Sequence, residues 1–493
     1  HEVASQFGPT QIQIDTVVTY LRSQGFNNIK IASNNLLIEA DGDAKTVQKT
    51  FQTSLAEYKA RSGRIGHANT KDIMIPQSIS TIVSAVLGLD TTTEAHIPSQ
   101  VKSVPVKNVV SSSISTTVPS QVNATTTSTS GVQYPYNVVD LASFYNAGSI
   151  PSGSKATVGI IADGPPSQIN TVISDLGVFQ YQNQSKVAPV NISALYTYTT
   201  TPSGVDTTNQ VEWNLDTQAV AGMSGGVKNL KLYVGPDLTP GSILAAFNLA
   251  LTDNNPPNII SMSFGSCDSP QNYYLDSLLR SAYLQNITVI ASTGDNGSAG
   301  INGCPANPDI EYPASSPWLV AVGGTDFTDS SGTSEKGWTG SGGGKSAGQV
   351  ASSWQAVALG LPAGAKRQIP DIAYSATGVV VVNNGVLLKA SDGGIAIVGG
   401  TSLSAPSFAG VWARYLTAKP LLGSASPYLY QLAKLQSSPF NDMPSGVTNG
   451  AYNTAPGWDF VTGWGSLDIT KGLASLNAIS QTGWLPAVLY PLQ

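Results

Sequence analysis

Five short runs in the middle of the chain are apolar at nearly every position: Val158-Gly159-Ile160-Ile161-Ala162, Leu230-Lys231-Leu232-Tyr233-Val234, Asn258 through Phe264, Thr288-Val289-Ile290-Ala291-Ser292 and Leu319-Val320-Ala321-Val322. A strand with one wet face alternates apolar and polar residues, so runs without alternation predict strands covered on both faces. Helically spaced stretches, such as Ile243 to Leu251, separate several of them. Buried strands linked by helices predict an α/β domain on a parallel sheet, with its chemistry at the carboxyl ends of the strands. The pattern starts near residue 133 and predicts a domain over 133–493.

Residues 1–92 predict a smaller α+β unit. Thr16 to Leu21 is spaced as a helix, Asn35 to Ala40 reads as a strand and Ala44 to Phe51 as another helix. Between 93 and 132, the runs Ser111 to Thr117 and Thr125 to Gly131 frame scattered Val and Pro. Such a stretch buries too little apolar area to offset its ordering entropy, and predicts a linker that a protease can cut.

Composition narrows the class. Of 493 residues, 41% are hydrophobic and only 11% charged, against about 25% charged in ordinary soluble proteins. The surface must rest on uncharged polar groups, which lose few ion pairs when carboxylates protonate. That suits an acid-adapted protein, or a secreted one with a merely polar surface. The net charge of −6 argues against a nucleic-acid partner, which needs a basic face. No uninterrupted apolar run of about 18 residues predicts a transmembrane span. The start at His1, without Met or an apolar leader, is expected of a chain that was trimmed or has lost a signal peptide. Sequons at Asn123, Asn183, Asn191, Asn286 and Asn296 fit an extracellular location. Cys267 and Cys304, the only thiols, each follow a strand end in a polar loop. They predict a disulfide in an oxidising compartment, with two free buried thiols as the alternative; a lone pair is too few for a zinc site.

Histidine occurs only at His1, His67 and His96, and none follows. The segment Gly399-Gly400-Thr401-Ser402-Leu403-Ser404-Ala405-Pro406 turns on two glycines into a helix whose first turn is expected to hold Pro406. A helix start favours developing negative charge, so Ser402 is a candidate nucleophile; the plainer reading is an ordinary Ser/Thr cap. Its base would then be a carboxylate or a lysine. Glu212 and Asp216, four apart in a helical pattern, project from one face in adjacent turns. Like charges so placed repel unless they share a proton, although a solvated helix face explains many such pairs. Asp295, in the glycine-rich loop Ser292 to Ser298 after a strand, suits a protonated donor to an oxyanion, or a plain Asx turn.

Taken in order, Glu212-x-x-x-Asp216, Ser261-Met-Ser-Phe-Gly265, Ser292-Thr-Gly-Asp-Asn-Gly-Ser298, Tyr312-Pro-Ala-Ser315, Val322-Gly-Gly-Thr325, Pro370-Asp-Ile-Ala373 and Gly399 to Pro406 resemble the sedolisin, or serine-carboxyl peptidase, family over nearly the whole chain. The first unit, with Phe7-Gly8-Pro9, Leu21 to Gly25, Phe51-Gln52-Thr53 and Ile75-Pro76, resembles the pro-kumamolisin activation prosegment. The resemblance implies a subtilisin-like three-layer catalytic domain. In it Ser402 attacks a peptide carbonyl, Glu212 takes its proton, Asp216 orients Glu212 and Asp295 binds the oxyanion. Ser263, Phe264 and Gly265 would form the edge against which substrate pairs. Some members carry an acidic residue at the position of Ala162 with a Trp nearby; here the neighbouring residue is Asp163. The chemistry fits acid: at pH about 4 a histidine of pKa about 6.5 is only about 0.3% neutral, while a carboxylate of pKa near 4 remains usable.

Near the end, Asp442 and Asp459 flank a loop rich in accessible carbonyls. Its resemblance to the family's calcium loop implies one structural calcium ion held by the carboxylates of Asp442 and Asp459 and the carbonyls of Met443, Ala455 and Gly457, with Ala455 standing where the family has glycine. The expected protein is a secreted, monomeric, acid-acting endopeptidase on protein or peptide substrates, held as a zymogen by its own prosegment. The alternatives are a catalytically silent surface or binding protein on the same scaffold, and a conventional subtilisin whose histidine the prosegment lends.

Overall fold

The computed structural model describes residues 8–59, 65–104, 136–301, 304 and 310–481. Its frame is a twisted sheet of eight strands. β6 (Thr157–Asp163), β7 (Asn191–Tyr196), β8 (Asn229–Gly235), β9 (Ile259–Met262), β11 (Thr288–Ser292), β13 (Val320–Phe327) and β15 (Ile372–Ser375) run parallel, and only β14 (Glu335–Gly337) at one edge is antiparallel. The order β14-β13-β11-β9-β6-β8-β7, with β15 also paired to β13, reverses direction around the central strands, so their carboxyl ends diverge into a crevice. Every residue of β9 and β11 is buried, as the unalternating apolar runs require.

Helices supply the covering layers. α5 (Pro240–Thr252) packs on β6 and β8, and α6 (Asp276–Leu284) on β11. α4 (Gln210–Ser224) lies on β6 and against α3 (Pro166–Gln182), while α7 (Thr401–Ala418) runs across β9, β11, β13 and β15. From Glu212 to Ser224 no residue of α4 reaches solvent, and α7 is buried from Thr401 to Thr417. Helices buried all round must pack closely, and Gly410 is where these two do. A Cβ there would stand 2.8 Å from Met223 Cβ and from Ser224 N, and 3.0 Å from Val220 O.

The N-terminal unit consists of α1 (Gln11–Gln24), the hairpin pair β1 (Asn27–Ile31) and β2 (Ile38–Asp41), α2 (Ala44–Thr50), and the hairpin pair β3 (Leu55–Lys59) and β4 (Ile65–Asn69). The strand expected from Asn35 begins only at Ile38, because Asn35 takes a left-handed turn with φ of 63°. Thr10 and Gln13 form a capping box at the start of α1. The unit touches the main domain through Asn34, whose amide donates to Asn248 Oδ1 of α5 at 2.8 Å.

The expected linker departs from prediction at its start. Residues 94–104 are pinned to the main domain, and β5 (Gln100–Val104) pairs antiparallel with β16 (Ile395–Gly399), in a small sheet completed by Val379–Val380. An edge strand with open hydrogen bonds holds what composition alone would leave loose. Residues 105–132, including Asn123, lie outside the described residues, as does Phe7. Among the other sequons Asn183 is buried, with Nδ2 donating to Phe179 O at 2.9 Å, and so is closed to glycosylation in the folded chain. Asn191, Asn286 and Asn296 are exposed.

Gly410→Val should push α7 off α4; overpacking of this kind costs about 1–3 kcal/mol. The expected outcome is a lower urea midpoint together with a loss of any activity that needs the two helices in register, and an unchanged midpoint would refute it.

Candidate active site

Ser402 is the second residue of α7 and completely buried. Gly400 makes the turn before it with φ of 108°, and the turn also needs the missing side chain: a Cβ would collide with Asp295 Oδ2 and lie 2.6 Å from Pro98 O. Pro406 falls at the sixth position of the helix, one turn deeper than expected. A proline there withholds the N–H that the Ser402 carbonyl would otherwise accept.

Glu212 and Asp216 do share a face of α4, but that face points inward. Both are buried, 2% and 0% exposed. Burial pushes both carboxyls up, and Asp216 is raised further by Glu212 beside it. Ser263 Oγ donates to Asp216 Oδ1 at 2.8 Å. The hydroxyls of Ser99 and Ser402 face Glu212 and favour its charged form, opposing the burial. Neither Ser402 Oγ nor the Glu212 oxygens are yet aligned as good hydrogen bonds; nucleophile and base are neighbours whose bond has still to tighten.

Asp295 follows β11. Thr401 N and Oγ1 donate to its Oδ1 at 2.8 and 2.9 Å, and Oδ2 points toward Gly400 without a partner. Burial first, and then the Glu212 charge, raise its pKa to about 8 against the Thr401 bonds, so Oδ2 carries a proton at acid and neutral pH. The arrangement makes a fixed, neutral acid that can donate toward a developing oxyanion.

A stretch of the chain's own backbone crosses this crevice. His96 N donates to Gly265 O at 2.8 Å and Gly265 N to His96 O at 2.9 Å, while Gln100 pairs with Gly399. Those pairs bracket residues 97–99 and set the Pro98 carbonyl beside Gly400 and Asp295, and Ser99 against Glu212. The Pro98–Ser99 peptide therefore lies across the serine. Of the three residues expected to line the edge, Gly265 takes up the pairing, Ser263 turns its side chain to Asp216, and the Phe264 ring is buried in the core.

Sequence reasoning missed two contributors, Thr401 and Glu311, and named a third, Asp163, only as the neighbour of Ala162. Thr401 holds Asp295, and its only signal was its place before Ser402. Asp163, at the end of β6, is buried and accepts from Trp213 Nε1 and Asn209 Nδ2 at 3.1 Å. Burial, then Asp206, raise it to about 8. It sits beside Ala162 and anchors the first turn of α4, which carries Glu212. Glu311, at β12 (Glu311–Tyr312), is buried behind Gly265 and Gly294, and no motif pointed to it.

At the far end, Asp442 Oδ2 accepts from Gly457 N at 2.7 Å and Asp459 Oδ2 from Ala455 N at 3.0 Å, so the two carboxylates flank one loop. Met443 is buried beside Asp442 in the chain. No group of three or more His, Cys, Asp or Glu side chains suited to a metal occurs among the described residues. Two carboxylates beside one loop are oxygen donors of the kind a hard cation such as calcium takes. Cys267 and Cys304 are joined by a disulfide, with Cα atoms 5.5 Å apart, which excludes the free-thiol alternative.

The pro-kumamolisin activation domain matches residues 1–92 and the subtilase family matches residues 156–465. Sedolisin of Pseudomonas sp. is 35% identical over 95% of this chain and 79% of its own length. Xanthomonalisin of Xanthomonas sp. is 31% identical over 98% of this chain, which spans 61% of it. A solved Pseudomonas sedolisin, a serine-carboxyl proteinase complexed with two molecules of pseudo-iodotyrostatin, superposes with a TM-score of 0.62 at 33% identity, covering 71% of this chain and 99% of that one.

The buried carboxyls set a pH dependence of stability. A group with a folded pKa near 8, as in Asp163 and Asp295, and an unfolded value of about 4 holds its proton more tightly in the folded chain, so its stabilisation is complete below about pH 4 and lost as pH rises to about 8. The Ser402→Ala precursor should therefore melt at a lower temperature at pH 9 than at pH 5, and Asp295→Asn should flatten part of that slope. A melting temperature indifferent to pH across this range would contradict the assignment.

Proposed function

The chain belongs to the sedolisin family of serine-carboxyl peptidases and carries the family's pro-domain; from that premise we propose that it is a secreted zymogen whose mature form, a monomer, cuts within protein chains at acid pH through Ser402, Glu212, Asp216 and Asp295. One observation carries the reading. The carbonyl of a peptide threaded through the crevice stands beside Asp295, while Ser402 and Glu212 face each other at the helix crossing.

Glu212 takes the proton of Ser402 Oγ as that oxygen attacks the peptide carbonyl carbon. Asp295, protonated at Oδ2, donates to the oxyanion, and the start of α7 adds its dipole. Collapse expels the amine, which takes the proton held by Glu212, and leaves an acyl-enzyme. Water, deprotonated by Glu212, then releases the acid. Asp216, held by Ser263 one helical turn from Glu212, orients that carboxyl and raises its proton affinity. Burial beneath residues 94–104 holds Glu212 protonated in the precursor. Departure of that segment rehydrates the carboxyl and lowers its pKa toward the acid range, so the same group is idle in the zymogen and competent in the mature enzyme.

The N-terminal unit acts as the intramolecular inhibitor, and the stretch from 93 to 132 is cut to release it. His96 belongs to the segment that leaves, and His67 to the prosegment, so neither serves the mature site. The disulfide and the exposed sequons support an oxidising, extracellular location. Asp442 and Asp459, with carbonyls of Met443, Ala455 and Gly457, hold a calcium ion that ties the terminal loop to the domain.

Denatured protein should be hydrolysed between pH 2 and 6 and markedly more slowly at pH 8. Glu212→Gln should lower kcat by about 10² to 10⁴-fold, and the Ser402→Ala precursor should stay full length at pH 4. Self-processing by Ser402→Ala, or activity indifferent to Glu212, would overturn the mechanism; absence of all hydrolysis would favour a silent scaffold. Exhaustive chelation should lower the melting temperature, with calcium alone restoring it, and an unchanged value would remove the metal from the account.

A further inference from the structure

The strand β16 runs straight into the Gly400 turn that carries Ser402, and its outer edge is held by the chain's own β5. The register is unbroken: Gln100 pairs with Gly399, Val101 with Val398, Lys102 with Ile397, Ser103 with Ala396 and Val104 with Ile395. Ala396 N donates at 3.0 Å to Leu388 O, on the side away from β5. Successive residues of a strand turn their backbone groups to opposite sides, so Ile395, Ile397 and Gly399 present N–H and C=O to β5, opposite Val104, Lys102 and Gln100.

The Pro98–Ser99 peptide lies across the serine, which makes those three partners the sixth, fourth and second residues after the bond that stands there. Side chains add little on this stretch. Val101 is 56% exposed, Lys102 is exposed, and the Ser103 hydroxyl reaches only the exposed Asp392, at 2.7 Å. Backbone pairing is what holds the segment here. When the segment leaves, an edge of five residues that leads into the nucleophile loses its partner, and an open edge is a template for another extended chain. A substrate anchored at Ser402 carries such a chain with it, so its leaving side meets β16 at high effective concentration.

We propose that β16 is the binding surface for the leaving side of the substrate, which adds an antiparallel strand there and is read through its backbone as far as the sixth residue past the scissile bond. The inference rests on the peptidase reading above. It is tested, with the precursor activated at pH 4, on peptides that share one acyl-side sequence and carry from one to eight residues on the leaving side. From one residue to six, kcat/KM should climb by about tenfold or more, and then level off. In the longest peptide, N-methylation of the second, fourth or sixth leaving-side amide should lower kcat/KM by about three- to tenfold, the range of one hydrogen bond. Methylation of the third or fifth should change it by less than about twofold, because those amides turn away from β16. No gain beyond the second residue, or losses that do not alternate, overturns the proposal and leaves the peptidase reading standing; hydrolysis of no peptide overturns both.

Discussion

Two carboxyls one helical turn apart and sealed from water cannot both be charged. Repulsion and desolvation act in the same direction on Glu212 and Asp216, and the pair must retain a proton well above the usual carboxylate range. The surrounding fold maintains that seal. α4 is buried along its whole active face, α7 lies against it at Gly410, and Ser263 at the end of β9 supplies a neutral hydroxyl rather than a cation to Asp216. A lysine in the place of Ser263 would ionise both acids and remove the difference between them. The sheet and the helix crossing together keep water away from both carboxyls, so the pair as a whole retains a proton above the usual carboxylate range.

The same physics is repeated at Asp295 and Asp163, each buried and each met by donors of fixed geometry rather than by a counter-ion. Where positive charge is buried it is placed elsewhere: Arg367 forms a two-pronged pair with Asp371 that also takes in Tyr430, far from the serine in the chain and bracing β15. In a chain with 11% charged residues, the buried acids at the crevice, Glu212, Asp216 and Asp295, are favoured in their protonated forms by burial.

Much of this was legible in the sequence. The unalternating strands, the helical spacing of Glu212 and Asp216, the loop at Asp295 and the turn into Ser402 are local signals, written within ten residues of each group. What escaped depends on residues far apart. Asp163 was named only as the neighbour of Ala162, and its bond to Trp213 spans 50 positions; Glu311 was not named, because two glycines, 46 and 17 residues before it, leave room for its carboxylate. Pro406 was placed a turn too early because the glycines hid how soon the helix begins. Residues 94–104 depart from the expected linker for a related reason: their composition is that of a loose linker, and their order comes from distant partners, chiefly the edges offered by Gly265 and β16.

That borrowed order links the zymogen to the chemistry. A peptide paired on both sides of Ser402 resembles a substrate in its backbone, yet it brings Ser99 against Glu212 and closes the crevice to water. Closing the crevice raises the pKa of the base, and a protonated base cannot accept the serine proton. On the proposed mechanism the segment restrains the enzyme in two ways, by occupying the crevice and by favouring the protonated form of Glu212. Both restraints end together when the strand leaves, because the hydrogen bonds that fix the segment are the same ones that exclude solvent.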